Sequence, residues 1–205
     1  MIGPPSSLRG IARRWLALYV PVAALILGLS TLVGFLLGDA IPVDSLPAGS
    51  DAGSNPFLPS EITTVSIAVN NLTAMGVMLL GAVSLGLVTV LGLVLNGLLI
   101  GVVVGLAGQE LPSMVILALL LPHGIVEIPA LLIVAAIGLR FGRLTVRYLR
   151  GTEDRLVTEQ ALREAGWLVG VACVLVLVAA YIEANVTLAI AERVADGSLS
   201  GLPSA

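Results

Sequence analysis

His123 and Glu127 are the side chains of this sequence best placed to do chemistry. They lie four apart in Leu121-Pro122-His123-Gly124-Ile125-Val126-Glu127-Ile128-Pro129-Ala130, at the centre of an apolar run from Ser113 to Leu139. On a helix that spacing puts both on one face, with Cβ atoms about 5–6 Å apart. The run is long enough to cross a bilayer, which takes about 20 residues. An ionisable pair at membrane depth reads as a functional site by default, as part of an ion or proton path. The bland alternative is a packing device, with Glu127 protonated or hydrogen-bonded to His123. Pro122 and Pro129 are about two turns apart and share a face, and each frees the carbonyl four residues earlier, at Ala118 and Ile125. In hydrocarbon those carbonyls need partners from protein or water. Pro122, Gly124 and Pro129 are therefore the expected kink and packing positions of this helix.

Four more polar side chains fall inside apolar stretches: Asn70, Asn71, Asn96 and Glu183. Counted by depth, Asn70, Asn96, His123, Glu127 and Glu183 could meet in the middle to outer half of the bilayer. Asparagines in membrane helices commonly hydrogen-bond across helices, for about 0.6 kcal/mol each, so structural glue is the competing reading of Asn70, Asn71 and Asn96. Other chemistries find less support. His123 is the only histidine, so the two-histidine zinc motif is absent. One histidine with two glutamates permits a metal site geometrically, but the spacing does not support one; no metal and no cofactor are expected. The glycines sit inside apolar helices with no lysine beside them, which excludes a phosphate-binding loop. Cys173 lies in an apolar segment and reads as packing.

The composition dictates what must position these residues. Of 205 residues, 58% are hydrophobic and 11% charged, against about 25% charged in soluble domains, and the mean hydropathy is +1.07. The fold class is all-α: a polytopic membrane helix bundle, one domain over residues 1–205, with about five transmembrane helices. The spans expected are about 15–37, 61–83, 87–107, 113–139 and 167–189. The first is too long for the core of a cleaved signal and reads as an uncleaved helix. An external loop rich in Gly, Pro, Ser and Asp occupies 38–60, and Ser60 is the expected cap of the second helix. Residues 62–107 are apolar for too long to be one crossing, so the chain must fold back near Gly81 to Gly92. Gly97, Gly101 and Gly105 recur every fourth residue, a spacing that lets another helix approach closely. Segment 140–166 is Arg-rich and partly helical along the membrane surface, and 195–205 is a small polar tail.

All ten basic residues are arginine. With five crossings, Arg9, Arg13, Arg14, Arg140, Arg143, Arg147, Arg150, Arg155 and Arg163 fall on one side and only Arg193 on the other. The positive-inside rule makes the first side cytoplasmic. The N-terminus is then cytoplasmic and the C-terminus external, in a multi-pass cell-membrane protein. A re-entrant fourth segment would turn the dense arginines outward, so a kinked through-helix is preferred.

Taken together, Asn70-Asn71, Asn96-Gly97 with Gly101, Pro122-His123-Gly124-x-x-Glu127-x-Pro129-Ala130 with Gly138, and Ala180-Tyr181-Ile182-Glu183-Ala184-Asn185-Val186-Thr187 resemble the stage II sporulation protein M family, in the family's order. The resemblance implies a non-enzymatic multi-pass membrane protein of about five helices. In spore formers the family member anchors a membrane complex with a peptidoglycan-degrading pair; relatives also occur in organisms that form no spores, archaea included. An all-arginine basic set and acidic outer loops would suit an archaeal source. Two functions compete. The expected one is a non-enzymatic scaffold or anchor of a membrane complex. The alternative is a small-solute or ion transporter or channel using the mid-membrane His/Glu/Asn site, with a homodimer supplying further walls. The expected partners are membrane lipid, other membrane proteins and a second copy of the chain, and no nucleic acid.

The topology is testable with cysteines placed at Ser50, Thr152 and Ser200 in a Cys173→Ser background. An impermeant thiol reagent should label positions 50 and 200 in whole cells and 152 only after lysis; labelling of 152 in intact cells would refute the five-crossing arrangement.

Overall fold

The structure, a computed structural model, describes residues 7–42, 63–187, 190 and 193. Most of the expected external loop, the Ser60 cap and the 195–205 tail lie outside the described residues. Among those described there is no strand; the regular structure is six α-helices with two π-helical turns and one 3-10 turn. A short α1 (Leu8–Ile11) widens into a π-helical turn, Ala12–Leu16. Five long apolar helices follow: α2 (Tyr19–Ala40), α3 (Thr64–Leu79), α4 (Leu87–Glu110), α5 (Ser113–Leu149) and α6 (Glu159–Ile182). All five are long and apolar enough to cross a membrane. Their outward faces carry exposed Leu, Val and Phe, as at Leu25, Leu29, Leu32 and Leu36 of α2. A hydrocarbon layer welcomes that surface and water does not.

Local chemistry sets the helix ends. Thr63 caps α3: its hydroxyl accepts from the Ser66 N–H at 3.1 Å and the Ser66 hydroxyl accepts from the Thr63 N–H at 3.0 Å. The α3–α4 turn reverses the chain over Leu80–Gly86. Gly86 sits at φ +88°, a left-handed conformation that glycine adopts freely. The turn is pinned by Thr89, whose hydroxyl donates to the Met78 carbonyl at 2.7 Å, and by Thr145 of α5, which donates to the Ala82 carbonyl at 3.0 Å.

The fourth crossing differs from its expected bounds. It does not stop near residue 139 but continues as α5 to Leu149, and it runs without interruption through Pro122 and Pro129. Likewise α6 begins at Glu159, where the Thr158 hydroxyl accepts from the Ala161 N–H at 3.2 Å. The Arg-rich segment is thus largely the protruding ends of two long helices. At 1.5 Å per residue α5 is about 55 Å long, well beyond a core of about 30 Å. Hydropathy locates the apolar stretch, not the end of the hydrogen-bonded helix, and long arginine side chains can reach water while their backbone stays helical.

Helix α5 is the hub and touches every other spanning helix. Its second half is deeply packed: Ala130, Val134, Ala135, Ala136 and Ile137 are buried, as are Gly138 and Gly142. With Ala23 and Leu27 of α2, Met75 and Met78 of α3, Leu93 of α4, and Ala172 and Val176 of α6, part of this stretch forms the central core. Helices α2 and α4 run parallel along a seam of small residues. A Cβ added at Gly97 would lie 2.6 Å from the Leu27 carbonyl oxygen, and one at Gly105 2.5 Å from that of Phe35. At Gly101 it would overlap the Thr31 backbone. The partner stripe is Ser30, Gly34 and Gly38 on α2, again every fourth residue; a Cβ on Gly34 or Gly38 would overlap the backbone of Leu98 or Val102.

One end of the bundle is fastened by a polar knot. Glu164 of α6, 4% exposed, accepts from Trp15 Nε1 at 2.7 Å and Gln160 Nε2 at 2.9 Å, and pairs with the Arg14 guanidinium. Arg140 donates to the Arg14 carbonyl, and its guanidinium carbon lies 4.2 Å from the Trp15 ring centroid. Phe141 meets Trp15 edge-on, with ring centroids 5.2 Å apart. This knot brings α1, the second half of α5 and the start of α6 to one end. At the opposite end Gln109 of α4 donates to the Gly38 and Ile41 carbonyls at 3.0 and 2.9 Å.

Two substitutions test this packing. Gly101→Leu should lower the melting temperature in detergent, since overpacking costs about 1–3 kcal/mol. Gly28→Leu on the same helix pair, where a Cβ meets nothing within 4 Å, should leave it nearly unchanged; equal melting of the two variants would contradict the seam. Glu164→Ala strands the Trp15 N–H and Arg14, a loss of about 1–3 kcal/mol. In a Trp167→Phe background it should red-shift the Trp15 emission, whereas an unchanged spectrum and melting curve would show that the knot contributes nothing.

Candidate functional site

The first half of α5 packs differently from the second. Between Leu121 and Pro129 no residue is fully buried, because here α3, α4 and the end of α6 stand away from α5 and enclose a cavity of about 730 Å³. Its polar wall is Asn70 and Asn71 from α3, Asn96 from α4, His123 and Glu127 from α5, and Glu183 from just beyond α6. The remaining lining is aliphatic, including Ile67, Leu99, Ile100, Leu120 and Ile128. All of this lies in the half of the bundle nearer the α4–α5 turn. At the inner end Asn71, Asn96 and Glu127 meet Met75, Leu131 and Val176 around a void of only about 10 Å³, so the central core closes the floor.

Each functional side chain has a local reason for its place. The i, i+4 spacing sets His123 and Glu127 on one face of α5. Gly124 lines the cavity between them; an added Cβ there would meet nothing within 4 Å, so it keeps space open and makes no close helix contact. Pro129 also lines the cavity, whereas Pro122 is half-buried beside it. After Ile182 the chain leaves the α-helix and makes a π-helical turn, Glu183–Thr187. Such turns are frequent at functional sites because they re-aim side chains; this one presents Glu183 to α5. One ligand atom from each of His123, Glu127 and Glu183 lies within 4.8 Å of the others. Spacing along α5 alone could not reveal that grouping, since its third member arrives from another helix.

The hydrogen bonds around the cavity are mostly local. Asn96 Nδ2 donates to the Gly92 carbonyl of its own helix at 2.8 Å, and Asn70 Nδ2 lies 3.5 Å from Asn71 Oδ1. Among the described residues no hydrogen bond crosses between helices through Asn70, Asn71 or Asn96, and none joins His123 to Glu127. The carboxyl groups of Glu127 and Glu183 make neither a hydrogen bond nor an ion pair with any described residue. Two carboxyl groups so close, with no arginine in the cavity wall, leave concentrated acceptor capacity facing the cavity.

Thr187 is a site residue that single-residue reasoning missed. Its hydroxyl is 3.5 Å from His123 Nδ1 and also donates to the Ile182 carbonyl at 3.3 Å. The signal was present, since Thr187 ends the Ala180–Thr187 motif, but nothing in that motif says which helix it will face. Asn185 Nδ2 donates to the Thr64 hydroxyl at 3.2 Å and ties the same turn to the start of α3.

The sequence model of the family described as Stage II sporulation protein M matches residues 22–188 of this chain. That stretch contains every residue of the cavity wall. An uncharacterized protein of Methanocaldococcus jannaschii is 32% identical over 157 residues, which are 76% of this chain and 88% of that protein. No solved structure matches the chain.

Proposed function

This chain belongs to the stage II sporulation protein M family, and on that premise we propose that it is a membrane protein that binds a small polar or cationic solute within the bilayer, in the manner of a transporter or channel. The observation that carries this reading is the cavity of about 730 Å³ whose polar wall joins His123, Glu127, Glu183 and three asparagines from four helical elements. A packing device would bury these groups against one another and satisfy them. Here the carboxyl groups stay unpaired and face open space. The closed floor and open outer half fit a solute site reached from one side, with the core below as the barrier.

Orientation belongs to the same proposal. The knot at Glu164 gathers the ends of α1, α5 and α6, the elements that carry nine of the ten arginines or flank them. The positive-inside rule supports a cytoplasmic position for that end. The cavity would then open toward the outside, and the C-terminus would be external.

Family membership favours a second reading, a scaffold or anchor that holds partner proteins in a membrane complex, and this is not a family of known enzymes. Lipid, other membrane proteins and a second copy of the chain are the partners in either case. The two readings differ in whether the cavity is wet. In a Cys173→Ser background, Asn96→Cys should react with a hydrophilic methanethiosulfonate in proteoliposomes, while Leu95→Cys, on the exposed apolar face, should not. An inert Asn96→Cys in a protein that melts like its parent would sink the solute-site reading and leave the scaffold. Under the scaffold reading Glu127→Gln, which keeps shape and removes charge, leaves partner assembly intact.

A further inference from the structure

We infer that His123, Glu127 and Glu183 form a binding site for a divalent first-row transition cation such as Mn²⁺, an inference that rests on the cavity being the solute site. The three residues offer an imidazole nitrogen and two carboxylate oxygens, all within 4.8 Å of one another. Metal–ligand bonds to such atoms are about 2.1 Å, so two ligands of one ion lie no more than about 4.2 Å apart. The upper bound of 4.8 Å on the present spread is close to that limit. Glu127 and Glu183 both line the cavity, which gives their side chains room to adjust to an ion.

Charge favours this occupant. Two carboxylates and a neutral imidazole carry two negative charges, which a divalent cation cancels. Net charge inside the membrane is expensive, and a neutral cluster avoids most of that expense. No protein cation competes for the position, because no arginine lines the cavity and the chain contains no lysine.

The donor set narrows the metal. Mg²⁺ and Ca²⁺ prefer all-oxygen sites, and the imidazole argues against both. Soft Cu(I) prefers thiolate and thioether, and the three grouped ligands offer only nitrogen and oxygen. A mixed nitrogen and carboxylate set suits Mn²⁺, Fe²⁺ or Zn²⁺. The amide oxygens of Asn70, Asn71 and Asn96 on the same wall, together with water, can complete a higher coordination number. The Thr187 hydroxyl beside His123 Nδ1, at 3.5 Å, stands where metal-bound histidines usually have a partner that orients the ring.

The test uses the full chain, free of any affinity tag, in detergent micelles, with MnCl₂ as the probe. Binding should remove the free-ion electron paramagnetic resonance signal at one Mn²⁺ per chain, and Mg²⁺ at equal concentration should not displace it. Electron spin-echo modulation should show the ¹⁴N coupling of an imidazole. The chain has a single histidine, so that coupling can come only from His123, and His123→Gln should abolish it. Glu127→Gln and Glu183→Gln, near-isosteric and checked by elution and melting, should each weaken binding at least about 10-fold. Wild-type affinity in both glutamine variants, or bound Mn²⁺ without imidazole coupling, would overturn the site; the spectrum of the wild type decides even where a variant fails to fold. Reactive Asn96→Cys with no Mn²⁺ binding would remove the metal and keep the cavity as a site for another solute, whereas an inert Asn96→Cys would remove both.

Discussion

A hydrogen-bonding or ionisable side chain inside the hydrocarbon layer must be given partners by the protein or by water that the protein admits. That constraint arranges this molecule around α5. One helix carries both solutions, one above the other. The stretch that follows Pro129, from Ala130 to Leu139, is built of small and aliphatic residues. Its first half carries His123 and Glu127, and there the neighbouring helices draw back to leave a cavity with Asn70, Asn71, Asn96 and Glu183 on its other walls. The tight half closes the floor on which the open half depends.

Two further interactions keep the halves distinct. The glycine seam between α2 and α4 brings their backbones together; the rigid pair then holds Asn96 at a set height against α5. At the far end, the carboxylate of Glu164 collects Trp15, Arg14 and Gln160 and fastens α1 and α6 to the protruding part of α5. Glu164 is buried and Glu127 half-buried, yet the two glutamates differ in their partners. Glu164 is saturated with donors and acts as a clamp. Glu127 has none among the described residues and faces open space, as a binding group does.

The family name derives from sporulation, but the cavity needs no such process. Its chemistry is an imidazole, two carboxyl groups and three amides around one cavity. The stretch matched by the family spans residues 22–188 and so includes every described residue of the cavity wall, and the archaeal relative spans most of the same chain. Anchoring a complex and binding a cation are compatible in one small membrane protein, since lipid-facing and cavity-facing surfaces belong to different helix faces.

The sequence by itself determined the class and the cast. Composition and the lengths of the apolar runs required a bundle of membrane helices, and the four-residue spacings of His123 with Glu127 and of Gly97, Gly101 and Gly105 identified two working faces. These are consequences of helical periodicity and of the free energy of apolar burial, which act locally and can be read from one chain. Helix ends were less legible. Arg140 to Leu149 continues α5 because backbone hydrogen bonding does not stop where hydropathy does. Only the tertiary structure decided who meets whom: that the glycines of α4 face Ser30, Gly34 and Gly38, that Trp15 and Glu164 lock one end, that Gly124 opens space, and that a π-helical turn carries Glu183 and Thr187 to His123. The reason is that spacing along one helix says which residues share a face, while the neighbour of that face depends on how all five helices pack at once.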